Sequence, residues 1–363
     1  MSTIKKELLI FQNLPPGGAK STYLSTSKYL SKKYKTKEIT EPKYRIKNFL
    51  NYLYILLIKS PINQRRLVTK HTGDVLLCYQ TWLGNTPSII RYFNKKIIYI
   101  CHEPPREFYD EYYICNQTLK EKIVNLIRYP IKILDKYNIT SKSVIVVANS
   151  NFSKRWIDST YNVHSRVVYP GINLNIFKNT MDISKKNQII TTGAINLLKN
   201  QLFLVEILRR IPHKIRPTLV LISNGSSEQY LKRLYSKAKK FHVRIKVLLN
   251  ITEKEKILEL KKSKIFIYSP INEPFGISLL EGIAVGLPIV VYGKGGGFKE
   301  VISSKNGLII DSLSAVEWSE KLRKLLIDDS RMRSYSEYNL KHCNKYSEEI
   351  MNKNIESIIS EDT

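Results

Sequence analysis

Short runs of β-branched residues alternate with amphipathic segments of helical length along almost the whole chain. The first half contains the runs KELLIF, DVLLCY, KKIIYIC, SVIVVA and RVVY, and the second half contains QIITTG, TLVLIS, VRIKVLL, KIFIYS, PIVVYG and GLIID. Strands that alternate with helices form parallel sheets with helices on both faces. This alternation therefore predicts an α/β protein with two doubly wound sheets.

The length and one irregular segment indicate two domains. A chain of 363 residues is long for a single hydrophobic core. The segment 169–187 contains Pro, Gly and several Asn without a sustained period, so we interpret it as the linker. We expect a first domain over residues 1–180 and a second over 181–335. The segment 336–363 is expected to be helical and to pack back toward the first domain.

The chain is strongly basic, with 59 Lys and Arg against 31 Asp and Glu and a net charge of +28. Residues 1–70 alone carry 15 basic and 3 acidic residues. Such a surface attracts polyanions, phosphorylated substrates and anionic lipid headgroups. No helix-turn-helix, zinc-finger or RNA-binding signature accompanies the charge, so no specific nucleic-acid partner is expected. The four cysteines are too few for a disulfide framework and are expected to be reduced.

The longest apolar stretch, FLNYLYILLI, lies at 49–58 and is far shorter than the roughly 20 residues of a membrane-spanning helix. The N-terminus has no small-residue cleavage site and is interpreted as the first strand. We therefore expect a cytoplasmic protein. The cationic and aromatic segment 43–66 has two interpretations, a helix buried on the first sheet or a helix at a bilayer surface. The local charge favours peripheral association with the inner face of the membrane.

The most informative motif is NEPFGISLLEGIAVGLPIVVYGKGGGFKEVI, which covers 272–302 and follows the predicted strand KIFIYS. Pro274 predicts the start of a helix, whose unpaired first-turn amides attract phosphate. Glu273 lies at that end, and Glu281 follows eight residues later, about 12 Å along a helix. Either glutamate alone is adequately explained as a helix-capping charge or a solvated residue. Their combination within the full motif favours a ligand site.

This motif resembles the retaining glycosyltransferases of family 4, which have the GT-B architecture of two Rossmann-like domains facing a central cleft. The resemblance rests on the two glutamates, on EPFG, on LLEG followed by GLPIVV, and on the Gly-Gly-x-x-Glu at 296–300. It implies that Glu273 contacts the transferred sugar and that Glu281 holds the ribose hydroxyls. It also implies that the nucleotide-sugar donor binds to Phe275, Gly276 and Ile277 through the helix N-terminus.

Three further positions are candidates for donor binding. In TTGAINLLKNQ, Lys199 matches one of the two cations with which the family holds the diphosphate, whereas Ala194 stands in place of the other, an arginine. The departing diphosphate then depends on Lys199, the helix terminus and the amides of the Gly17-Gly18 turn after the first strand. Ile251 is expected to lie near the nucleotide base.

A fourth candidate lies in KKIIYICHEPPREFYDEYY, where His102 directly follows a predicted strand. A lone histidine is more often structural, but this loop is similar to the His-x-Pro-Pro-Arg loops of family members that act on lipid-linked oligosaccharides. The resemblance implies that His102 lies near the transferred sugar, and it makes Glu103 and Arg106 candidates on the acceptor side. With no Asp-x-Asp motif and no Cys/His cluster, we expect neither a metal nor another cofactor.

The sequence thus predicts a retaining, metal-independent enzyme that moves a hexose from a nucleotide-sugar to a hydroxyl of a lipid-linked or other glycan. Its expected partners are the nucleotide-sugar donor, a glycan or glycolipid acceptor and an anionic membrane surface. One alternative is another GT-B enzyme, such as a 2-epimerase or a phosphorylase, although a phosphorylase requires a longer chain and a pyridoxal-binding lysine. The other is a catalytically inactive adaptor that binds glycan or lipid, which Ala194 favours.

Overall fold

The computed structural model describes residues 6–14, 17–178 and 183–361. Its internal contacts divide the chain into two compact units. Unit 1 comprises Met1–Tyr169 and Met351–Thr363, and unit 2 comprises Pro170–Ile350. The boundary predicted at residue 180 lies outside the described residues. The last residues of the chain belong to the same unit as the first.

Unit 1 contains a parallel sheet that has six strands in the described part of the chain, in the order β2-β1-β3-β4-β5-β6. The strands are β1 (Glu7–Asn13), β2 (Lys35–Ile39), β3 (Val75–Thr81), β4 (Lys96–Ile100), β5 (Ile145–Ala148) and β6 (Arg166–Val167). The inward-facing residues of β1, β3 and β4 form two apolar clusters, one on each face of the sheet.

Unit 2 contains a second parallel sheet, again of six strands among the described residues, in the order β12-β11-β10-β7-β8-β9. The strands are β7 (Gln188–Thr192), β8 (Thr218–Ser223), β9 (Ile245–Leu249), β10 (Ile265–Tyr268), β11 (Ile289–Tyr292) and β12 (Gly307–Ile310). The strand order reverses between β7 and β10. Ligands of open α/β sheets bind beyond the carboxyl ends of the strands at such a switch point. A ligand site is therefore expected at the loops after β7 and β10.

Helices cover both faces of each sheet. In chain order they are α1 (Gly18–Leu30), α2 (Phe49–Tyr54), α3 (Ser60–Lys70), α4 (Arg106–Tyr109), α5 (Glu111–Cys115), α6 (Leu119–Ile127), α7 (Tyr129–Thr140), α8 (Asn151–Tyr161), α9 (Asn175–Lys178), α10 (Gln201–Leu208), α11 (Glu228–Lys240), α12 (Glu253–Lys262), α13 (Ile277–Ala284), α14 (Ala315–Leu326), α15 (Asp329–His342) and α16 (Glu348–Ser360). Within the described residues, no helix is both long and apolar enough to cross a bilayer.

All eleven predicted strands are present, but the sequence prediction missed β2. This strand, KTKEI, lies at the edge of the first sheet and only Ile39 is buried, so it lacks an apolar run. The segment predicted to be helical from 336 contains the second half of α15 and all of α16, separated by a 3-10 turn at Cys343–Tyr346. In unit 1, Met351, Ile355 and Ile359 of α16 lie in the apolar cluster that includes Leu8 of β1 and Leu77 of β3.

The basic and aromatic segment 43–66 folds into α2 and α3, which are joined by a π-helical turn at Ile55–Lys59. One side of this composite helix packs on unit 1 through Ile55 and Leu56, which are 3% exposed. The other side leaves Leu50 and Tyr54 in solvent, 76% and 52% exposed. The segment therefore has apolar residues on both its buried side and its exposed side.

Candidate active site

The loop between β10 and α13 is held in place by backbone hydrogen bonds to the loop after β11. The amide of Glu273 donates to the carbonyl of Gly295 (2.8 Å), and the amide of Gly297 donates to the carbonyl of Glu273 (2.8 Å). Gly296, with φ 145°, lies directly opposite, and a Cβ there would come within 2.0 Å of the Glu273 carbonyl oxygen. The glycine pair of the motif therefore permits the close backbone approach that positions Glu273.

Lys199 and Glu273 meet at the switch point of the second sheet. Lys199 ends a 3-10 turn after β7, and its ammonium pairs with the Glu273 carboxylate. The Asn196 side chain accepts from the Lys199 amide (3.1 Å), which fixes this turn. The two side chains are only 21% and 12% exposed. The cation and the carboxylate that the sequence assigned to two parts of the donor thus form one ion pair.

Tyr268, the last residue of β10, is a member of this cluster that the sequence prediction missed. Its hydroxyl lies 3.4 Å from the Lys199 Nζ, and burial raises its pKa to about 12. The ring packs edge-on against Phe298, with centroids 5.3 Å apart. A Cβ on Gly276 would lie 3.3 Å from the same hydroxyl. Tyr268 therefore lies between Lys199 and the start of α13, and its place at a strand's carboxyl end was the sequence signal for it.

The helix of the motif begins later than predicted. Pro274 was expected at its start, but α13 begins at Ile277, and Gly276 with φ 84° occupies the N-cap. The reason is that Glu273 is part of a bridge to Gly296, which keeps the preceding loop extended. The separation of 12 Å along one helix is therefore wrong for Glu273 and Glu281, because only residues from 277 onward are helical.

The candidates at the helix start divide into backbone and core positions. Phe275 is 2% exposed and belongs to the apolar cluster of unit 2, so its side chain is structural and only its backbone is available to a ligand. Ile277 and Ile251 pack against the same cluster and remain partly exposed. The first-turn amides of α13 at Ile277 and Ser278 have no partner inside the helix. Tyr268, which contacts Lys199, lies beside Gly276 at the start of this helix.

Glu281 lies one turn into α13 and forms an ion pair with Lys256 of α12, at 2.7 Å. Lys256 also contacts Glu253, at 3.0 Å. Burial lowers the pKa of Lys256, but the two carboxylates outweigh burial, so that the pKa is raised and the lysine stays charged. Lys256 was not predicted, because a lysine within the charged sequence EKEKILELKK has no signal that separates it from a solvated one.

Ala194 leaves the expected second cation position without a charge. Its carbonyl accepts from the Gln201 side chain (2.8 Å), which ties the loop after β7 to the start of α10. Neighbouring Gly193 has φ 138°, and a Cβ there would lie 3.5 Å from the Lys199 Cε. The loop thus passes close to the lysine stem, and Lys199 is the cation that this loop contributes.

In unit 1, His102 follows β4 as predicted and is held from both sides. Its amide donates to the Gln80 side chain (3.0 Å), and its Nδ1 lies 3.4 Å from the Asn149 Nδ2. Its Nε2 is buried without a partner among the described residues. Burial lowers the pKa of His102 to about 4, so the ring is neutral at pH 7. A neutral imidazole with one free nitrogen can accept or donate one hydrogen bond.

The remaining candidates of unit 1 are the charged loop and the glycine turn. Arg106 pairs with Glu103 (2.6 Å) and Asp110 (3.0 Å), so the two acceptor-side candidates are bound to each other. Gly17, with φ 151°, is the N-cap of α1, and Gly18 is its first residue. A Cβ on Gly17 would meet nothing within 4 Å, so the backbone angle alone favours glycine there.

Comparison with known proteins bears on this site. Residues 174–342 match the family described as glycosyl transferases group 1. These residues are similar to a glycosyl transferases group 1 domain. They include Lys199, Glu273, Glu281 and the glycines of the motif, and they lie within unit 2. The resemblance to glycosyltransferases inferred from the motifs is confirmed at the level of group 1.

The chain also resembles named enzymes. The alpha-1,3/1,6-mannosyltransferase ALG2 of Dictyostelium discoideum is 26% identical over 78% of this chain and 71% of its own length. Human ALG2 is 23% identical over 71% of this chain and 65% of its own. A D-inositol 3-phosphate glycosyltransferase of Xylanimonas cellulosilytica is 30% identical over 39% of this chain and 34% of its own.

Solved structures support the fold over nearly the whole chain. WaaG, a glycosyltransferase involved in lipopolysaccharide biosynthesis, superposes with a TM-score of 0.75 at 15% identity and covers 98% of this chain and 100% of its own. Anabaena Alr3699/HepE in complex with UDP and glucose has a TM-score of 0.74 at 16% identity, with 98% and 99% covered. At these identities the likeness shows the fold alone, and the predicted GT-B class is confirmed.

Proposed function

We propose that the chain is a retaining, metal-independent hexosyltransferase that uses a nucleotide-sugar donor and a lipid-linked or other glycan acceptor at a membrane surface. The observation that carries the proposal is the cluster of Lys199, Glu273 and the α13 N-terminus at the switch point of the second sheet. A cation, a carboxylate and free amides in one place match the parts of a nucleotide-sugar, which are a diphosphate and a polyhydroxyl ring.

In this proposal the Lys199 ammonium and the first amides of α13 hold the diphosphate, and Tyr268 positions the ammonium. The Glu273 carboxylate accepts hydrogen bonds from the sugar, and Glu281 accepts those of the ribose. In the transfer, the acceptor hydroxyl oxygen bonds to the anomeric carbon, the bond from that carbon to the phosphate oxygen breaks, and the hydroxyl proton ends on the departing diphosphate. The charge that develops on the diphosphate is what Lys199 and the helix terminus stabilise. The proposal assigns His102 of unit 1 to the transferred sugar, and Glu103 and Arg106 of the same unit to the acceptor.

The names of the relatives suggest which donor to test first. A relative from Caenorhabditis elegans is named GDP-Man:Man(3)GlcNAc(2)-PP-Dol alpha-1,2-mannosyltransferase, and Alr3699/HepE was solved with UDP and glucose. Guanosine and uridine diphosphate hexoses are therefore the first panel. The melting temperature of the purified chain is expected to rise with the nucleoside diphosphate of one base only. The rise is measurable because a ligand at 100 times its Kd adds about 2.7 kcal/mol to the stability of the folded chain. The product's anomeric configuration is read from its NMR coupling constants, and activity is expected to survive EDTA.

The decisive comparison is Lys199→Met against Lys239→Met, which removes an exposed lysine of α11 in the same unit. Loss of a charge-assisted contact to the diphosphate weakens donor binding by about 1.5–3 kcal/mol, or roughly 10- to 100-fold. We expect Lys199→Met and Glu273→Gln to lose transfer with their melting curves retained, whereas Lys239→Met behaves as wild type. Nucleotide binding without any turnover in the wild type would instead favour the inactive adaptor, for which Ala194 is the motivating residue.

A further inference from the structure

Helix α6 of unit 1 exposes its apolar side to solvent. None of its nine residues, all of which lie in the described part of the chain, is buried. Its apolar residues recur at helical spacing, with Leu119 76%, Ile123 53% and Leu126 74% exposed. Apolar residues in such a stripe normally face a core or a partner. A capping box at Thr118 and Glu121 fixes the start of the helix, so the exposed stripe belongs to a formed helix.

The stripe continues onto the next helix, α7. Tyr129, Ile133 and Tyr137 follow one another at four-residue spacing and are 51%, 59% and 55% exposed. The opposite side of α7 is anchored in unit 1, where Ile131 and Ile139 are 2% and 1% exposed. The exposure on α7 is therefore confined to one side of a well-packed helix.

These two helices adjoin the composite helix formed by α2, the π-helical turn and α3. Ile131 and Leu134 of α7 pack in one small apolar cluster with Ile55 and Leu56. The Arg128 guanidinium, between α6 and α7, lies 6.0 Å from the centre of the Tyr52 ring. The exposed residues of α2, α6 and α7 therefore belong to neighbouring elements of unit 1, and together we call them the apolar surface.

The charges on the helices of the apolar surface are mostly positive, and one of the cations, Arg128, is paired with Glu107 at 3.0 Å. Within α6, α7 and the residue between them, the cations are Lys120, Lys122, Arg128, Lys132 and Lys136. The two acids of the same stretch are engaged elsewhere, since Glu121 caps α6 and Asp135 is fully buried. The segment 43–66 adds further lysines and arginines. Apolar residues flanked by cations complement an anionic bilayer, where acyl chains lie beneath phosphate headgroups. A second copy of this chain would bring like charges together.

We propose that the α6–α7 part of the apolar surface inserts into the headgroup region of an anionic bilayer, next to α2, and so docks unit 1 on the membrane. The proposed function supplies only the expectation that the acceptor lies at a membrane. The docking itself rests on the exposed stripe and its charge, and the segment 118–137 was not among the predicted membrane contacts.

The test is co-sedimentation of the full chain with vesicles of phosphatidylglycerol and phosphatidylcholine, compared with vesicles of phosphatidylcholine alone. The variant Leu119→Ser/Leu126→Ser removes two inserted side chains, and the matched control Ile327→Ser/Leu340→Ser changes two exposed apolar residues of unit 2, 65% and 51% exposed. Burial of one leucine favours partition by at least tenfold. We expect the α6 variant to lose at least tenfold in the partition coefficient on anionic vesicles and the control to bind as wild type.

A second pair of variants tests whether the positive charges of α6 contribute to binding of anionic vesicles. Lys120→Gln/Lys122→Gln is expected to reduce binding to anionic vesicles severalfold, whereas Lys239→Gln/Lys240→Gln in unit 2 leaves it unchanged. Absence of wild-type binding to anionic vesicles, or equal losses in the α6 variants and their controls, would overturn the proposal. So would a wild-type dimer in solution that Leu119→Ser/Leu126→Ser dissociates while vesicle binding persists, because a second copy would then cover the surface.

These outcomes are separable from failure of the proposed function. The α6 variant is expected to keep the wild-type circular dichroism spectrum and the wild-type melting shift with nucleoside diphosphate. If no nucleotide shifts the melting temperature but the vesicle results are as expected, the docking surface stands and the transferase proposal fails. If nucleotide shifts the melting temperature but the chain does not bind vesicles, the transferase proposal stands and the docking surface fails.

Discussion

Lys199, Glu273 and Tyr268 show what residue-level sequence reasoning can and cannot reach. The sequence identified Lys199 and Glu273 separately, because each lies in the loop after a predicted strand and in a recognisable motif. It could not identify their ion pair, since they are 74 residues apart in the chain and meet only through the order of strands in the sheet. Tyr268 was missed although it lies at the carboxyl end of a strand, and Lys256 was missed because a helix lysine has no local signal of its role.

At the residue scale, His102 gives a prediction about pH. Burial lowers its pKa from the ordinary 6.5 to about 4, so the unfolded chain binds this proton at a higher pH than the folded one. The contribution of neutral His102 to the free energy of unfolding is therefore fully present above pH 6.5. It is lost as the pH falls from 6.5 to 4. We expect the wild type to lose about 2 to 3 kcal/mol more than His102→Gln between pH 7.5 and pH 4.5, as measured by urea unfolding.

The comparison of variant with wild type is needed because Asp135 titrates in the same range. Burial raises the pKa of this carboxyl to about 6, and its contribution to stability therefore grows as the pH falls, opposite to that of His102. Asp135 is present in both proteins and cancels in the difference. His213→Gln, at an exposed site, serves as the control and is expected to keep the wild-type pH dependence. An unchanged dependence in His102→Gln would show that the ring is not held neutral.

At the scale of elements, the prediction from sequence was good for strands and poor for boundaries. The buried strands have dense β-branched runs, whereas β2 carries charges at an exposed edge and has no such run. The start of α13 was misplaced because Pro274 is compatible with a first helical turn, yet a backbone bridge from Glu273 to Gly296 competes for the preceding residues. That bridge joins two loops that are distant in sequence, so no local pattern reports it.

The bridge gives a prediction for Gly296→Ala. A Cβ at this position would lie 2.0 Å from the Glu273 carbonyl oxygen, and the backbone angle φ of 145° is itself strained for alanine. The loops must separate, which moves Glu273 away from Lys199. We expect unit 2 to lose at least about 2 kcal/mol of stability, as measured by thermal unfolding. We also expect nucleoside diphosphate no longer to raise the melting temperature of this variant.

Gly225→Ala is the stability control for this prediction, because a Cβ there meets nothing within 4 Å. It is expected to unfold within about 0.5 kcal/mol of the wild type. If Gly296→Ala is equally harmless and keeps the nucleotide shift, the close approach of the two loops does not position Glu273.

At the scale of the whole molecule, the chain forms unit 1 from its two ends. The sheet of unit 1 comes from the first half of the chain, but Met351, Ile355, Ile358 and Ile359 of α16 lie in one of its two apolar clusters. Polar contacts add to the packing, since Asn352 accepts from Thr26 (2.8 Å) and Glu356 pairs with Lys33 (2.7 Å). Sequence reasoning predicted a terminal segment that packs back toward the first domain, because the segment follows the final helix of the second sheet.

Truncation before Met351 is therefore expected to unfold unit 1 and to leave unit 2 folded. Burial of each of the four apolar side chains contributes about 1.5–3 kcal/mol, and their sum is comparable with the 5–15 kcal/mol that stabilises a typical domain. Calorimetry of the full chain and the truncated one should show the loss of one transition, and limited proteolysis should spare residues of unit 2. The substitution Ile350→Ser, at a position 43% exposed, is the matched control and should keep both transitions. A truncated chain in which unit 1 resists protease as well as in the full chain would show that the first half of the sequence folds alone, and that α16 is an addition to its core rather than a part of it.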